Sequence, residues 1–239
     1  MESSKLQVDE PQRAGEVLAA AFREYGRRPV TYVTIGAVEA LASLVTRDGA
    51  GIHSFAGHAI LMIAFLACFT VTVCVASGWS FVESRARTRN AIVALAGLAF
   101  VVGLPHTYLP RYDGLFILIS PFWLAVTAFA IPIVLHEQRP GRPVRIPGMF
   151  TALRRSMMLS QVAFLHAVLV IAILLAVTFL LTTVLVGALN NFGDQGQLAA
   201  LVISRAVLVP VVFIGLFALY LDQRQRQRVS GDVTVGERA

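Results

Sequence analysis

Apolar residues gather in six runs separated by short polar breaks: residues 29–46, 55–82, 90–109, 115–136, 160–189 and 198–221. Each run is near or above the ~20 residues that a helix needs to cross a ~30 Å hydrocarbon core. The third is interrupted by Gly97, Gly103 and Pro105. The fifth is longer than a crossing requires, so tilt or an interfacial end is expected. Two more stretches have a helical period without being apolar throughout. In residues 13–28, Val17, Ala21 and Tyr25 share a face with Leu18 and Phe22, while Arg13, Glu16, Arg23, Glu24 and Arg27 take the remainder. Such a helix either lies in the head-group region with its apolar side down or packs that side against the protein. Residues 149–159 form a second amphipathic stretch, leading directly into the fifth run. The pattern predicts an all-α fold: a polytopic membrane helix bundle with six transmembrane helices and two amphipathic helices on the cytoplasmic side. Residues 1–12 are expected to be a mobile N-terminal tail, 13–221 a single membrane domain, and 222–239 a cytoplasmic C-terminal tail.

Composition agrees with this division. Of the 239 residues, 56% are hydrophobic and 14% are charged, against ~25% charged in soluble domains. A soluble chain of this length would lack the polar skin it needs. The net charge of +6 does not point to nucleic acid, because the basic residues sit in short segments beside the apolar runs. Two of the 20 lysines and arginines, Arg47 and Arg111, fall in the breaks on one side. Arg205 lies inside the sixth run, and the other 17 fall on the opposite side. The positive-inside rule places that side, with both termini, in the cytoplasm of a cell (inner) membrane. The same charges favour contact with anionic lipid head groups. No cleavable signal peptide is expected, since the first 29 residues are charged and mixed, and no lipidation signature is present. Cys68 and Cys74 are six residues apart in one run. On a helix they point about 240° apart and cannot bridge.

Two charges lie within the runs, Glu39 and Arg205. Each costs roughly 2.5–3.5 kcal/mol at a helix centre on insertion scales. Counting 1.5 Å per residue puts both about 10–12 Å below the outer surface, so a pair between the first and sixth helices fits their depths. One reading is a polar site in a cavity, for a proton, an ion or an anionic head group. The other is a buried pair that fixes packing, or Arg205 snorkelling outward beside a protonated Glu39. Pro210 removes the helical bond to the carbonyl of Ala206, next to Arg205. Of the five histidines, His53, His58 and His106 fall toward the outer side near Asp113, and His136 and His166 toward the inner side. No pair has a metal-motif spacing; His58 and His106 alone have depths that loosely suit a shared haem. There is no GxSxG, Walker A or GxGxxG. The expectation is therefore no catalytic residue, no metal and no cofactor, and a protein that is not an enzyme.

The stretch FAIPIVLHE followed by ALRRSMML resembles the motif of YciC-like bacterial six-helix membrane proteins. It also resembles the related membrane domain of some glycerophosphodiester phosphodiesterases. The matching positions are Pro132, Glu137, Ala152, Leu153, Arg154, Arg155 and Ser156, and LAAAFREYGRRP resembles the family's first amphipathic helix. Two features depart from the pattern. Met157 stands where a tryptophan often follows the serine, and the spacer after Glu137 carries Pro140, Pro143 and Pro147. The resemblance implies a six-helix membrane domain and carries no activity with it, because the phosphodiesterase likeness stops at the membrane domain. Glu137 beside Arg154 and Arg155 reads as a charge-assisted link docking the amphipathic segment under the bundle, or as part of a cytoplasmic gate. The expected role is structural, lipid-interacting or that of an envelope accessory factor. The alternative is a small transporter or channel with a polar site at Glu39 and Arg205. A lipid-acting enzyme would have only the outer histidines and Asp113 to work with. Expected partners are membrane lipids with anionic head groups and other membrane proteins, not nucleic acid.

Overall fold

In the computed structural model the described residues are 6, 10–49, 55–108, 113–137 and 146–236, and they are helical with short turns. The elements are α1 (Ala14–Arg27), α2 (Pro29–Gly49), α3 (Phe55–Ala76), α4 (Phe81–Tyr108), α5 (Asp113–Thr127), α6 (Ala130–Glu137), α7 (Ile146–Gln161), α8 (Phe164–Leu189) and α9 (Gly193–Gly236). Among the described residues, three helical stretches are long and apolar enough to cross a membrane: Ala59–Ala76, Ile119–Glu137 and Phe164–Ser230. The last holds α8 and most of α9, which return on each other through a single 3-10 turn at Asn190–Phe192. Pro29–Leu44 is a shorter apolar helix.

Helix ends follow local chemistry. At the start of α1 the Arg13 amide donates to Glu16 Oε2 at 2.6 Å, satisfying one of the donors that a helix N-terminus leaves open. The run at 55–82 does not stay in one helix. α3 stops at Ala76, Gly78 takes φ 65° in the turn, and Phe81 and Val82 open α4. The run at 115–136 breaks at Ala128–Phe129, between α5 and α6. Pro132 explains the place: it has no N–H for the Ala128 carbonyl and its ring crowds that carbonyl. Ser160 and Gln161, read with the fifth run, finish α7 instead. α9 continues through residues 222–236, so the expected C-terminal tail is helical over that stretch. The N-terminal segment is tied down where it is described: the Leu6 amide donates to Ala76 O at 3.0 Å.

α9 is the central element, packed against α1, α2, α3, α7 and α8. Its aromatic residues fill the interior: Phe213 stacks on Phe69 of α3, with centroids 5.0 Å apart at 15°, and meets Phe65 edge-on. Such contacts add about 0.5–1.5 kcal/mol beyond area burial. α1 resolves one open alternative. Val17, Ala20, Ala21 and Glu24 are buried, so this stripe packs on the protein, chiefly on α9, while Phe22 remains half-exposed. The exposed faces of the long helices are apolar, as at Val38, Leu41, Ile63, Ile92, Phe179 and Val184. In water this would be an aggregation surface; against lipid it is the expected skin.

Candidate functional site

Arg205 and Glu39 meet. Arg205 Nη1 lies 2.8 Å from Glu39 Oε1, bridging α9 to α2. The Glu39 side chain is 10% exposed and that of Arg205 43%, so the pair is closed on the carboxylate side and open on the guanidinium side. Its geometry begins at two backbone residues. Pro210 leaves the Ala206 carbonyl without its i+4 donor. Gly36, one turn before Glu39, lies directly against that carbonyl, with no room for a side chain. A Cα–H donor can approach such an oxygen closely. The two helices thus touch backbone to backbone beside the ion pair. Cys68 of α3 joins the same region, its Sγ donating to Ile35 O at 3.2 Å. Both cysteines are free and buried.

The α7 contacts form a second cluster. Arg155 Nη1 sits 2.6 Å from Glu137 Oε2, and the Tyr220 hydroxyl points at Glu137 Oε1 from 3.4 Å. Ser156 is fully buried and donates to Val126 O at 2.6 Å, close to the α5–α6 break. Ala152 and Leu159 are buried on the same side. Arg154 is not brought to Glu137; it lies on the exposed face. Arg155 is 58% exposed, so its pair is worth little, whereas the Ser156 bond lies in a dry contact where loss costs more. We expect Ser156→Ala to destabilise by about 1 kcal/mol, Arg155→Ala by about 0.5 kcal/mol, and Arg154→Ala to stay within about 0.5 kcal/mol of zero. Thermal unfolding in detergent gives the ranking; Arg155→Ala as the worst of the three would reverse the assignment.

The sequence reading missed a third cluster. Asp222 is fully buried. It accepts from the Gln12 amide at 2.6 Å and from Arg226 Nε at 2.8 Å, and His166 Nε2 lies 3.3 Å away. Arg226 also donates to the Gln12 carbonyl. The N-terminal segment, α8 and α9 are joined at one carboxylate. Around this end His136 Nε2 lies 3.0 Å from Ser77 Oγ and its ring 4.5 Å from that of Trp79. Arg87 covers Trp79 at 4.3 Å and donates to Leu135 O at 2.9 Å. Tyr32 donates to the buried Glu24 at 3.0 Å, and Arg28 to Val75 O at 2.8 Å. An Asp222–Arg226 pair at i, i+4 was visible in the sequence; the Gln12 partner, 210 residues away, was not.

His53 lies outside the described residues, as do the side chains of His58, His106 and Asp113. Among the described residues no group of three or more His, Cys, Asp or Glu side chains is gathered that could hold a metal. Comparison with known proteins finds no family model, no curated protein and no solved structure that matches the chain.

Proposed function

We propose that this chain is a six-span inner-membrane protein of the YciC-like kind, with both termini in the cytoplasm. Its role is structural and lipid-interacting rather than catalytic. The spans are α2, α3, α4, α5 with α6, α8 and the first part of α9. The observation that carries the reading is how the buried and half-buried acids are used. Glu39 holds Arg205 of α9, Glu137 holds Arg155 of α7, and Asp222 holds the N-terminal segment and Arg226. The Glu39–Arg205, Glu137–Arg155 and Asp222–Gln12 bonds each join separate segments of the chain, which is what a packing role requires, while Arg226 braces Asp222 from within α9. Charge placement supports the orientation, because the clusters at Arg87, Arg155 and Arg226 belong to the basic side.

A second reading, a small transporter with its polar site at Glu39 and Arg205, draws on one feature. Arg205 is half-exposed, and Glu39 Oε2 is buried with no hydrogen-bond partner among the described residues. The backbone contact between Gly36 and Ala206 weighs against a pathway between these helices.

Single cysteines at Gln12, Thr151, Asn191 and Ser230, in a background without Cys68 and Cys74, test the topology. An impermeant maleimide should reach Asn191 from outside and the other three only from the cytoplasm. Labelling of Asn191 and Ser230 from the same side would overturn it. In the same background, a cysteine at position 39 that reacts from water would favour transport, and one that stays unreactive favours packing.

A further inference from the structure

The corner where α7 meets α8 carries a groove that none of the contacts above uses. A cavity of about 340 Å³ opens there, between Val126 of α5, Met157, Ser160 and Gln161 of α7, and Phe164 of α8. That lies within the ~300–1,000 Å³ of small-ligand sites. Its walls are mostly carbon and sulfur. The Ser160 hydroxyl is turned back onto the Met157 carbonyl at 2.7 Å, so it presents little polarity to the opening. Methionine side chains adapt to a flexible apolar guest. Met157, which lines the cavity, is half-exposed, as is its neighbour Met158.

Charge stands directly beside this apolar slot. On α7, residues 154, 157, 158 and 161 fall on one face, three or four apart. Arg154 is exposed at the end of that face nearer the loop, and Gln161 is exposed at the other. Arg155 is held by Glu137; among the described residues no acid pairs with Arg154. A guanidinium offers the fork of donors that suits a phosphate. An anionic head on a basic rim with an apolar tail in a side-opening slot is the form of a phospholipid.

We propose that this corner binds one anionic phospholipid, its phosphate on Arg154 and an acyl chain between Met157 and Phe164. The inference deepens the proposed function and rests on its placing of α7 at the inner membrane surface.

Native mass spectrometry of the full chain released from detergent tests it, with phosphatidylglycerol and phosphatidylcholine as probes. The wild type should retain one phosphatidylglycerol in preference to phosphatidylcholine. Arg154→Gln should cut that preference about five-fold, the weight of one arginine near an anionic lipid surface. Arg23→Gln, an exposed arginine on α1, should leave it unchanged. Val126→Phe fills the slot and should reduce retention of both lipids; Met157→Ala, at a half-exposed position, keeps the test open if the first variant does not fold. Excess glycerol phosphate should not displace the bound lipid.

Absence of a preference in the wild type would overturn the proposal. So would equal losses in Arg154→Gln and Arg23→Gln, retention indifferent to both groove variants, or displacement by glycerol phosphate, which would mark a soluble-phosphate site. The two readings fail separately. Retention intact with Thr151 labelled from outside supports the lipid site and rejects the topology. No preference with Thr151 labelled from the cytoplasm rejects the lipid site alone.

Discussion

Gly36→Leu should leave little folded protein. The position is a backbone-to-backbone contact: a Cβ built on Gly36 falls on the carbonyl, carbonyl carbon and Cα of Ala206. None of these is the far end of a flexible side chain, so α2 and α9 must move apart to admit even a methyl group. Overpacking of this kind costs about 1–3 kcal/mol, and more where the backbone cannot yield. Alanine recovers up to about 1 kcal/mol in helix propensity, so Gly36→Ala should come out destabilised by about 1–2 kcal/mol. Leucine adds three further carbons against the same wall and should exceed about 3 kcal/mol, a large share of the ~5–15 kcal/mol that holds a typical domain. Separating the helices also draws Glu39 from Arg205, three residues along the same contact. Interhelical polar bonds in membranes add about 0.6 kcal/mol on average, so the steric term dominates. Gly187→Ala on α8 is the control, because nothing lies within 4 Å of its Cβ. It should be neutral or slightly stabilising. Melting temperatures in detergent decide; Gly36→Leu melting with the wild type would mean that α2 and α9 do not touch here.

Run length made the all-helical architecture legible, and among the described residues three stretches are long and apolar enough to cross a membrane. The sequence also placed Glu39 and Arg205 at one depth, because rise per residue is constant. It could not choose which arginine reaches Glu137. Arg154 and Arg155 are adjacent, and only the roll of α7, set by the burial of Ala152, Ser156 and Leu159, selects Arg155. Two breaks were readable in principle. Pro132 marks the break at Ala128, four residues earlier, and Gly78 marks the end of α3, but continuous hydrophobicity masks both. Glu24 was placed on the polar side of α1 by periodicity, yet it is buried under Tyr32. A phenol from the next helix supplies what periodicity does not count. The sharpest failure came at the margins. Residues 222–236 are polar, and polarity reads as an end, although α9 continues through them with Asp222 and Gln223 buried.

That margin holds the other large effect. Asp222→Ala should release the N-terminal segment and destabilise the protein by about 3 kcal/mol. Removing one partner of a buried ion pair costs about 3–5 kcal/mol, because the remaining charge is left in a dry place. Arg226 is 25% exposed and has some access to water, which argues for the lower end. The Gln12 amide loses its acceptor as well, and His166 the carboxylate 3.3 Å from its Nε2. Asp222→Asn separates charge from hydrogen bonding. Its amide oxygen still accepts from Gln12, while the charge-assisted bond to Arg226, worth about 1.5–3 kcal/mol, is weakened. It should fall between wild type and alanine. Trypsin reads the local consequence at Arg13, the residue that follows Gln12. If opening of the segment limits cleavage, its rate follows the population of the open form. Loosening by about 2 kcal/mol would then speed cleavage roughly thirty-fold, ahead of any cut elsewhere. Cleavage at Arg13 unchanged in Asp222→Ala, with the protein still folded, would show that the carboxylate holds nothing. Arg226→Gln should accelerate it less than Asp222→Ala, since Asp222 keeps the Gln12 amide, and that order assigns the hub to the carboxylate rather than to the arginine.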